Sequence, residues 1–398
     1  MSDTRTWVLT DVDNGIYVEE AHITGEALGK GFGQGWEVTK RRMKGGLSDG
    51  VDVIDINNGR MTFTVVPTRG MGFWRGEVDG FRIGWNSPAK RPVHPSHINL
   101  LEQGGLGWLK GFNECIVRCG LNSNGAPGMD RVRDNNGNIA ETMLSLHGNI
   151  ANIPAHYVEV SVVPGAKPKL IVKGVMEEAR CFCPQYRFTV TYTTEVGSDK
   201  LSFNDHTENF ANSPTEFMLL YHCNFGEPFV WKDSKFVAPV LEVAPRDARA
   251  QEDIDTWDVY RGYVPGYVEQ CYFMDLAAGK DGKTMSMLRT AKGDKAVVLR
   301  WPKAQLPHFC LWKHTAGEEE GYVTGMEPAT NFPNQKVFER ENGRVVTLQP
   351  GETYDCDIEL QVAMKRDDVA AAEKQIAALM GRRKCKVNQK PVAKWSQM

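Results

Sequence analysis

The sequence predicts an all-β protein: one large antiparallel β-sandwich with a few short helices and a helix near the C-terminus. Short segments of alternating apolar and polar residues recur at regular spacing between residues 51 and 362, as in sandwiches and barrels. Asn-Gly at 58–59 and Asp-Gly at 79–80 favour the tight turns of antiparallel hairpins. Only residues 367–380 have the composition of a longer helix, rich in alanine, acidic at the start and followed by a glycine.

The first half of the chain holds most of the clear strand patterns. Its first 48 residues are rich in glycine and are predicted to be irregular, with helical or loop character. A short helix is expected within 94–109, and 111–128 is expected to be a long polar loop of the kind that often carries function. The strands predicted up to residue 223 are 51–56, 61–67, 72–78, 81–85, 155–163, 169–177, 185–195, 200–209 and 216–223.

The second half begins with a less regular stretch, 228–266, and then returns to strands. The tail from residue 382 is basic and polar, so we expect it to be loose. We divide the chain into an N-terminal extension (1–50) packed on the sandwich, the sandwich itself (51–362), and a C-terminal helix and tail (363–398). The predicted strands here are 268–273, 284–289, 296–301, 308–313, 322–327, 344–348 and 352–362.

Composition indicates a cytoplasmic protein with reduced thiols. The 398 residues include 47 basic and 50 acidic side chains, a net charge of −3 that offers no attraction to nucleic acid or an anionic membrane. No apolar run is long enough to span a bilayer, and the first residues lack the apolar core of a secretory signal. The nine cysteines are scattered, and the pair at 181 and 183 has no second pair at zinc-site spacing.

One predicted strand, 216–223, contains the apolar run 217–221 and ends in a group of polar and aromatic residues. His222 and Asn224 are two residues apart, so on a strand their side chains point to the same face. A histidine and an amide at the edge of an apolar strand suit a site that handles hydroxyl groups. The alternative is a core histidine whose hydrogen bonds are satisfied, beside an asparagine that caps the strand.

Four residues at turns or strand ends are candidates for chemistry: Arg69, His147, His222 and Glu327. Two histidines with a glutamate can provide a general acid and a general base. They can also bind a metal ion, since two histidines and a glutamate are a known ligand set. A third interpretation is structural, with each side chain hydrogen-bonded within its own loop. Nearby aromatic residues suit either stacking on sugar faces or core packing: Trp108, Phe112, Phe225, Trp312 and Phe332.

Known nucleotide-binding and hydrolase signatures are absent. The chain has neither the glycine fingerprint of dinucleotide-binding folds nor the phosphate loop of nucleotide hydrolases. It also lacks the Gly-x-Ser-x-Gly elbow of serine hydrolases. These absences argue against a nucleotide-binding enzyme and a serine hydrolase.

Several motifs, in their order along the chain, resemble those of the aldose 1-epimerase (galactose mutarotase-like) superfamily. More narrowly they resemble its DUF4432 branch, which shares a Pro-Thr-Arg-Gly-Met segment and a Gly-Phe-Asn-Glu…Arg-Cys-Gly-Leu loop. The resemblance covers about residues 50 to 362. The matching segments are Pro-Thr-Arg-Gly-Met at 67–71, the loop at 111–121, Leu-His-Gly at 146–148, Leu-Tyr-His-Cys-Asn-Phe-Gly at 220–226, Gly-Met-Glu-Pro-Ala-Thr-Asn-Phe-Pro at 325–333 and Leu-Gln-Pro-Gly-Glu-Thr-Tyr at 348–354.

The resemblance implies a galactose mutarotase-like supersandwich that opens and recloses an aldose ring at its anomeric carbon. By similarity, Glu327 is the general base on the anomeric hydroxyl and His222 is the general acid on the ring oxygen. His147 hydrogen-bonds the sugar near the ring oxygen, and Arg69 binds ring hydroxyls. Neither a metal nor an organic cofactor is implied.

Three more residues are predicted to bind the sugar: Asn224, Trp312 and Glu269. Typical mutarotases hold sugar hydroxyls with an aspartate in an Asp-His context, and its nearest counterpart here is Glu-Gln-Cys-Tyr at 269–272. This change, together with the extra loop 111–133, leaves the sugar open.

We therefore expect a cytoplasmic sugar isomerase, monomeric or homodimeric, that acts on an aldose or a modified sugar. The alternatives are a carbohydrate-binding protein that has lost the chemistry, a related epimerase or lyase that abstracts a carbon-bound proton, and a metal-dependent enzyme that uses both histidines and the glutamate.

Overall fold

The computed structural model describes residues 3–397, which form two large β-sheets, a separate hairpin and five helices. Strands β1 to β13 are Arg5–Asp11, Ile16–Tyr17, Ala21–Thr24, Glu37–Arg42, Asp52–Asn57, Met61–Val66, Gly72–Val78, Phe81–Ile83, Ile116–Leu121, Gly128–Arg133, Ile139–Leu144, Tyr157–Val163 and Lys169–Ala179. Strands β14 to β26 are Gln185–Glu195, Lys200–Asn209, Thr215–Phe225, Lys235–Val237, Val240–Pro245, Gln270–Leu276, Lys283–Arg289, Ala296–Pro302, His308–Thr315, Tyr322–Ala329, Val346–Leu348, Thr353–Ala363 and Lys386–Val387.

The helices are short except for the last one. Helices α1 to α5 are Gly25–Leu28, Glu102–Gly105, Ala248–Gln251, Lys336–Glu341 and Arg366–Met380. Single 3₁₀ turns lie at Gly46–Ser48, Pro95–His97, Gly107–Gly111, Ile150–Asn152, Ile254–Thr256 and Glu318–Glu320. Helix α5 packs Val369, Ala372 and Ile376 onto the small sheet, and Gly381 ends it in a left-handed conformation.

The two sheets differ in size and share the core between them. The small sheet has ten strands in the order β17-β20-β21-β25-β15-β14-β13-β12-β1-β2. The large sheet runs β26-β18-β19-β22-β23-β16-β9-β7-β6-β5-β4-β3, with β24 beside β16 and β8 beside β7. Every strand pair within the described residues is antiparallel except β18 with β26. The predicted all-β antiparallel sandwich is therefore confirmed.

Strand β16 is buried on both faces, and each face packs against a different part of the molecule. Its odd-numbered residues, such as Tyr221 and Cys223, point into the main core between the sheets. Its even-numbered residues point to the outer face of the large sheet, where Leu220 packs with Trp108 and Phe112 from the 3₁₀ turn Gly107–Gly111 and the residue after it. A strand buried on both faces is apolar at almost every position, as 217–221 is.

Four stretches predicted to be irregular contain ordered strands. The first 48 residues contribute β1 to the small sheet and β3 and β4 to the large sheet. The supposed loop 111–128 contains β9, which is buried and pairs with β16. Residues 228–266 contain β17 and β18, and the tail contributes β26 and packs Trp395 against Phe332. The chain divisions at residues 50 and 362 stay predictions.

Candidate active site

His222 and Glu327 meet because of the register between β16 and β23. This register pairs Asn224 with Gly325 and Cys223 with Met326, so His222 lies opposite Glu327 on the outer face of the large sheet. The Nε2 atom of His222 is 3.2 Å from Oε1 of Glu327. Both residues are buried, with 4% and 2% of their surface exposed. The structure thus brings together the two residues predicted to be the acid and the base.

A glycine makes this contact possible. A side chain at Gly325 would place its Cβ 2.5 Å from Oε1 of Glu327 and 3.0 Å from Cε1 of His222. Both distances are shorter than normal van der Waals contacts. The absence of a side chain at Gly325 therefore leaves room for the two catalytic candidates to lie side by side.

Asn224 orients the ring of His222. Its Oδ1 atom lies 2.5 Å from Nδ1 of His222, while its Nδ2 donates to the backbone oxygens of Glu114 and His222. Because the amide oxygen only accepts, Nδ1 must carry the hydrogen, and Nε2 is left to face Glu327. Asn224 is completely buried and contacts the histidine. The structure therefore gives it a positioning role, and its predicted contact with sugar stays a prediction.

Glu327 has an incompletely satisfied carboxyl group. Its Oε1 atom is buried and has no hydrogen-bond partner among the described residues, since the contact with His222 lacks hydrogen-bond geometry. Burial raises the pKa of Glu327 to about 8, and the neighbouring Cys310 thiol partly offsets this. Burial also lowers the pKa of His222 well below its usual value, and the nearby His147 lowers it further. Near neutral pH the pair therefore holds one proton.

His147 completes the polar group from a neighbouring turn. Its backbone is left-handed, with φ of +58°, and Gly148 follows in the same conformation. Its Nδ1 lies 2.8 Å from the backbone oxygen of Asn124, so Nδ1 donates and Nε2 is free to accept. The His147 ring meets the ring of His222 edge-on at 5.3 Å. Burial lowers the pKa of His147 to about 4, so the ring is neutral at physiological pH.

A pair of asparagines ties this turn to the strand of Glu327. The side-chain amides of Asn124 and Asn331 exchange two hydrogen bonds of 2.9 Å. Asn331 lies two residues after β23, and Asn124 holds His147. No local sequence pattern indicates this link, although Asn331 lies within the 325–333 motif.

Three aromatic side chains surround His222. The rings of Phe112, Trp312 and Trp108 lie 5.1, 5.2 and 6.3 Å from the His222 ring. The indole Nε1 of Trp108 is buried and has no hydrogen-bond partner among the described residues. Phe225, by contrast, points into the main core. The aromatic residues thus form a layer over the acid–base pair, with one donor still unused.

A cavity of about 330 Å³ lies on the other side of this layer. Phe112 and Trp312 line the cavity and also contact His222, so they separate the cavity from the acid–base pair. Glu269 stands in its wall and accepts a hydrogen bond of 2.7 Å from Nε1 of Trp312. The remaining lining residues are Trp85, Ser87, Pro88, Ala89, Leu109, His314 and Glu320. Glu269 and Trp312 therefore line the same cavity, and their predicted contact with sugar stays a prediction.

Arg69 lies apart from this group. It is 1% exposed, and its side chain donates to Glu114, to Asn152 and to the backbone oxygens of Val93 and Gly111. Four of its five N–H groups are used in this way. The structure gives Arg69 the task of holding the loop that carries Phe112, and no contact with the histidines; its role on sugar hydroxyls stays a prediction.

No group of three or more His, Cys, Asp or Glu residues within 3–397 is arranged to hold a metal ion. The absence of a metal and of an organic cofactor stays a prediction. Within the same residues, no helix is long and apolar enough to cross a membrane.

The site and the sandwich together define a class of protein: an all-β galactose mutarotase-like fold with a His-His-Glu group on the outer face of its large sheet. The family model "Domain of unknown function (DUF4432)" matches residues 48–362. The chain belongs to the DUF4432 family, within the galactose mutarotase-like superfamily, as the motifs indicated.

Solved structures agree with this assignment. A protein of Klebsiella pneumoniae, named "putative aldose 1-epimerase", is 32% identical, with a TM-score of 0.92 over 98% of this chain and 99% of that one. A galactose mutarotase-like protein from Clostridium acetobutylicum, 14% identical, has a TM-score of 0.56 over 82% of this chain and 98% of that one. The galactose 1-epimerase of Lactobacillus acidophilus, 12% identical, has a TM-score of 0.50 over the same shares. The last two show the fold alone. No protein with a curated description matches the chain.

Proposed function

We propose that this protein is an aldose 1-epimerase-like isomerase that interconverts the anomers of an aldose or a modified sugar. The observation that supports this most is the buried contact of 3.2 Å between Nε2 of His222 and Oε1 of Glu327. Nε2 faces the carboxyl group because Asn224 occupies the other ring nitrogen. An acid and a base that lie this close can serve two oxygens bonded to the same carbon, as the anomeric and ring oxygens are.

The reaction needs one proton in the pair and returns it at the end. In the active form Glu327 is a carboxylate and His222 is an imidazolium. Glu327 takes the proton of the anomeric hydroxyl, the carbonyl forms at the anomeric carbon, and its bond to the ring oxygen breaks. His222 donates its proton to the ring oxygen. Rotation about the C1–C2 bond and the reverse transfers give the other anomer.

In the resting protein the same proton lies on Glu327 and not on His222. Burial favours neutral groups, so the proton lies on Glu327 when its pKa is about 8 and that of His222 is well below the usual value. Moving that proton across the 3.2 Å contact produces the active form with no exchange with solvent. A sugar hydroxyl that donates to Oε1 favours the carboxylate, because hydrogen bonds to a carboxylate stabilise its charge.

The remaining predicted residues take supporting roles in this proposal. His147 offers Nε2 to the sugar near the ring oxygen, and Trp108 offers its unused N–H. Trp312 packs on the sugar face, and Glu269 accepts hydrogen bonds from sugar hydroxyls. The sugar enters from the cavity of about 330 Å³, and the Phe112 ring moves to admit it.

Magnetisation-exchange NMR across a panel of aldoses, uronates and deoxy sugars tests the proposal. We expect at least one sugar whose anomers exchange faster with the wild type, and we expect Glu327→Gln and His222→Asn to lower that rate by about 10²- to 10⁴-fold. Arg75→Gln, which removes an exposed charge away from the site, is the matched control and should keep the wild-type rate.

If no sugar in the panel exchanges faster with the wild type than with both variants, the isomerase proposal fails for those sugars. A sugar that binds without exchange would identify a carbohydrate-binding protein instead. A new epimer or an unsaturated product would identify the related epimerase or lyase.

A further inference from the structure

Two neighbouring buried thiols are not used in the proposed reaction, and one of them, Cys310, lies beside Glu327. Cys310 is directly opposite Glu327 in the register between β22 and β23, so the two side chains share one face of the sheet. Cys271, on β19, packs with Cys310 in one cluster together with Phe273 and Phe332. Both cysteines are at most 3% exposed and form no disulfide. They are therefore two enclosed free thiols, and Cys310 is the one next to the candidate base.

Arg246 donates hydrogen bonds to one of these thiols and to Glu269. Nη1 of Arg246 lies 3.0 Å from Sγ of Cys271, and Nη2 lies 3.0 Å from Oε1 of Glu269. A guanidinium can only donate, so Cys271 accepts from it, and its own S–H is left free beside Cys310 in the same cluster. An ionised Glu327 can only accept, and the thiol of Cys310, which lies opposite it in the register of β22 and β23, is placed to donate to that form. A fixed donor thus lies at one end of the two thiols and a carboxyl group at the other.

We propose that Cys310 is a positioning residue for the base, and that Arg246 and Cys271 orient its thiol. The chain Arg246–Cys271–Cys310–Glu327 supplies a hydrogen bond to the carboxylate form of Glu327, which is the form that takes a proton from sugar. The proposal rests on the isomerase function for its consequence in catalysis, although the hydrogen bond itself does not depend on it.

The thiol compensates for a lack of other donors. In the described part of the chain, Oε1 of Glu327 has no hydrogen-bond partner, and a buried carboxylate without donors is strongly disfavoured. The Cys310 thiol lowers the pKa of Glu327 against the larger effect of burial. A thiol is a weak donor, so it moderates the pKa without removing the proton from the carboxyl group at neutral pH.

The same arginine also touches the cavity wall through Glu269. One guanidinium therefore connects a predicted sugar-binding carboxylate with the base, over two thiols. Replacing Glu269 with glutamine would leave Arg246 with less negative charge nearby and would favour the carboxylate of Glu327 slightly.

The test compares Cys310→Ala and Cys310→Ser with Cys223→Ala. Cys223 is the matched control because it is equally buried, one strand beyond Glu327, but faces the main core. The first readout is the ¹³C NMR titration of the Glu327 carboxyl group, assigned by its absence in Glu327→Gln. It works whether or not any sugar is turned over. The second readout is the pH profile of kcat/KM for anomer exchange.

We expect Cys310→Ala to raise the carboxyl pKa by about half to one pH unit, since one charge-assisted hydrogen bond is lost. Cys310→Ser should restore or lower the pKa, because a hydroxyl is the stronger donor, and Cys271→Ala should give a smaller rise. The alkaline limb of the kcat/KM profile should move with the NMR value. Equal titrations in Cys310→Ala and Cys223→Ala would overturn the proposal.

If Cys310→Ala does not fold, Cys310→Ser and Cys271→Ala decide the question through the same titration. A shifted titration with no turnover of any sugar would support the hydrogen-bond chain and refute the isomerase function. Turnover with an unshifted titration would support the isomerase function and refute the hydrogen-bond chain.

Discussion

Each face of the large sheet buries a carboxyl group beside a nitrogen-containing side chain. The inner pair is fully hydrogen-bonded, whereas the outer pair is not. On the inner face, Arg118 of β9 forms a two-point ion pair with Asp205 of β15 and so joins the two sheets. Arg118 also donates to the Tyr192 hydroxyl, while Asp205 accepts from Tyr221. On the outer face, His222 and Glu327 lie at contact distance, but Oε1 of the carboxyl group has no hydrogen bond.

The difference between the inner and the outer pair distinguishes a structural role from a chemical one. The inner pair is surrounded by partners, so its charges are neutralised and its geometry is fixed. The outer pair is left with an open acceptor and shifted pKa values, an arrangement that disfavours the folded state unless a ligand completes it. A fully bonded buried ion pair indicates a structural role, whereas an incomplete pair indicates a site.

Breaking the inner pair should give the largest effect. Asp205→Asn leaves the Arg118 guanidinium buried without a counter-ion, and we expect it to lower the free energy of unfolding by about 3–5 kcal/mol. Urea denaturation followed by circular dichroism measures this. Thr64→Ala, a buried polar change elsewhere in the large sheet, is the control and should cost far less. If Asp205→Asn is as stable as the control, the inner pair does not join the sheets as described.

Removing the carboxyl group of the outer pair should raise the free energy of unfolding at high pH, whereas breaking the inner pair lowers it. The pKa of Glu327 is about 8 in the folded protein and near 4 when unfolded, so its burial is tolerated below about pH 4 and costs stability as the pH rises to 8. Glu327→Gln has no such cost. Relative to the wild type, the variant should gain about 3–4 kcal/mol between pH 5 and pH 8.

Melting temperatures of both proteins across this pH range provide the measurement. The same variant should lose its activity, so stability and turnover would change in opposite directions. A stability difference that does not change with pH would show that Glu327 is ionised throughout.

The protonation of the outer pair should shape the activity. Only the form with one proton has both an acid and a base, so kcat/KM should fall about tenfold per pH unit above about pH 8, where that proton is lost. On the acid side activity should persist below pH 6.5, because the pKa of His222 is lowered. Initial rates of anomer exchange, corrected for the buffer-catalysed reaction, measure both limbs. An alkaline limb that begins below pH 7 would contradict this assignment of the proton.

The smallest effect concerns the residue between His222 and Asn224. Cys223 faces the main core, so Cys223→Ala should lower the free energy of unfolding by about 1 kcal/mol and leave turnover unchanged. Chemical denaturation and exchange rates on one preparation test both halves. Lost turnover at an unchanged melting temperature would mean that the faces of β16 are assigned the wrong way round.

The sequence was most informative where the pattern is local. The predicted strands 185–195 and 200–209 match β14 and β15 at both ends, because each has one face in the core and one near solvent. Strand β9 was missed, because it is buried on both faces and so shows no alternation. The short strands before residue 48 were missed, because glycine-rich turns such as Gly33 and Gly35 interrupt them.

The candidate site shows the same limit. The spacing of His222 and Asn224 indicated a shared face, and the structure confirms it with their hydrogen bond. The contact between His222 and Glu327 depends on the register of strands a hundred residues apart, which no local pattern specifies. Cys310 was overlooked for the same reason, since only the pairing of β22 with β23 places it beside the carboxyl group.

The position of Trp312 makes its fluorescence sensitive to what lies in the cavity. Its indole ring is stacked on His314, donates to Glu269 and lies 5.2 Å from His222, so it borders both the cavity and the acid–base pair. The emission of an indole depends on the charges and polarity around it. A sugar that entered the cavity would change those surroundings at once, so the difference in fluorescence between the wild type and Trp312→Phe should report occupancy in real time without any added label.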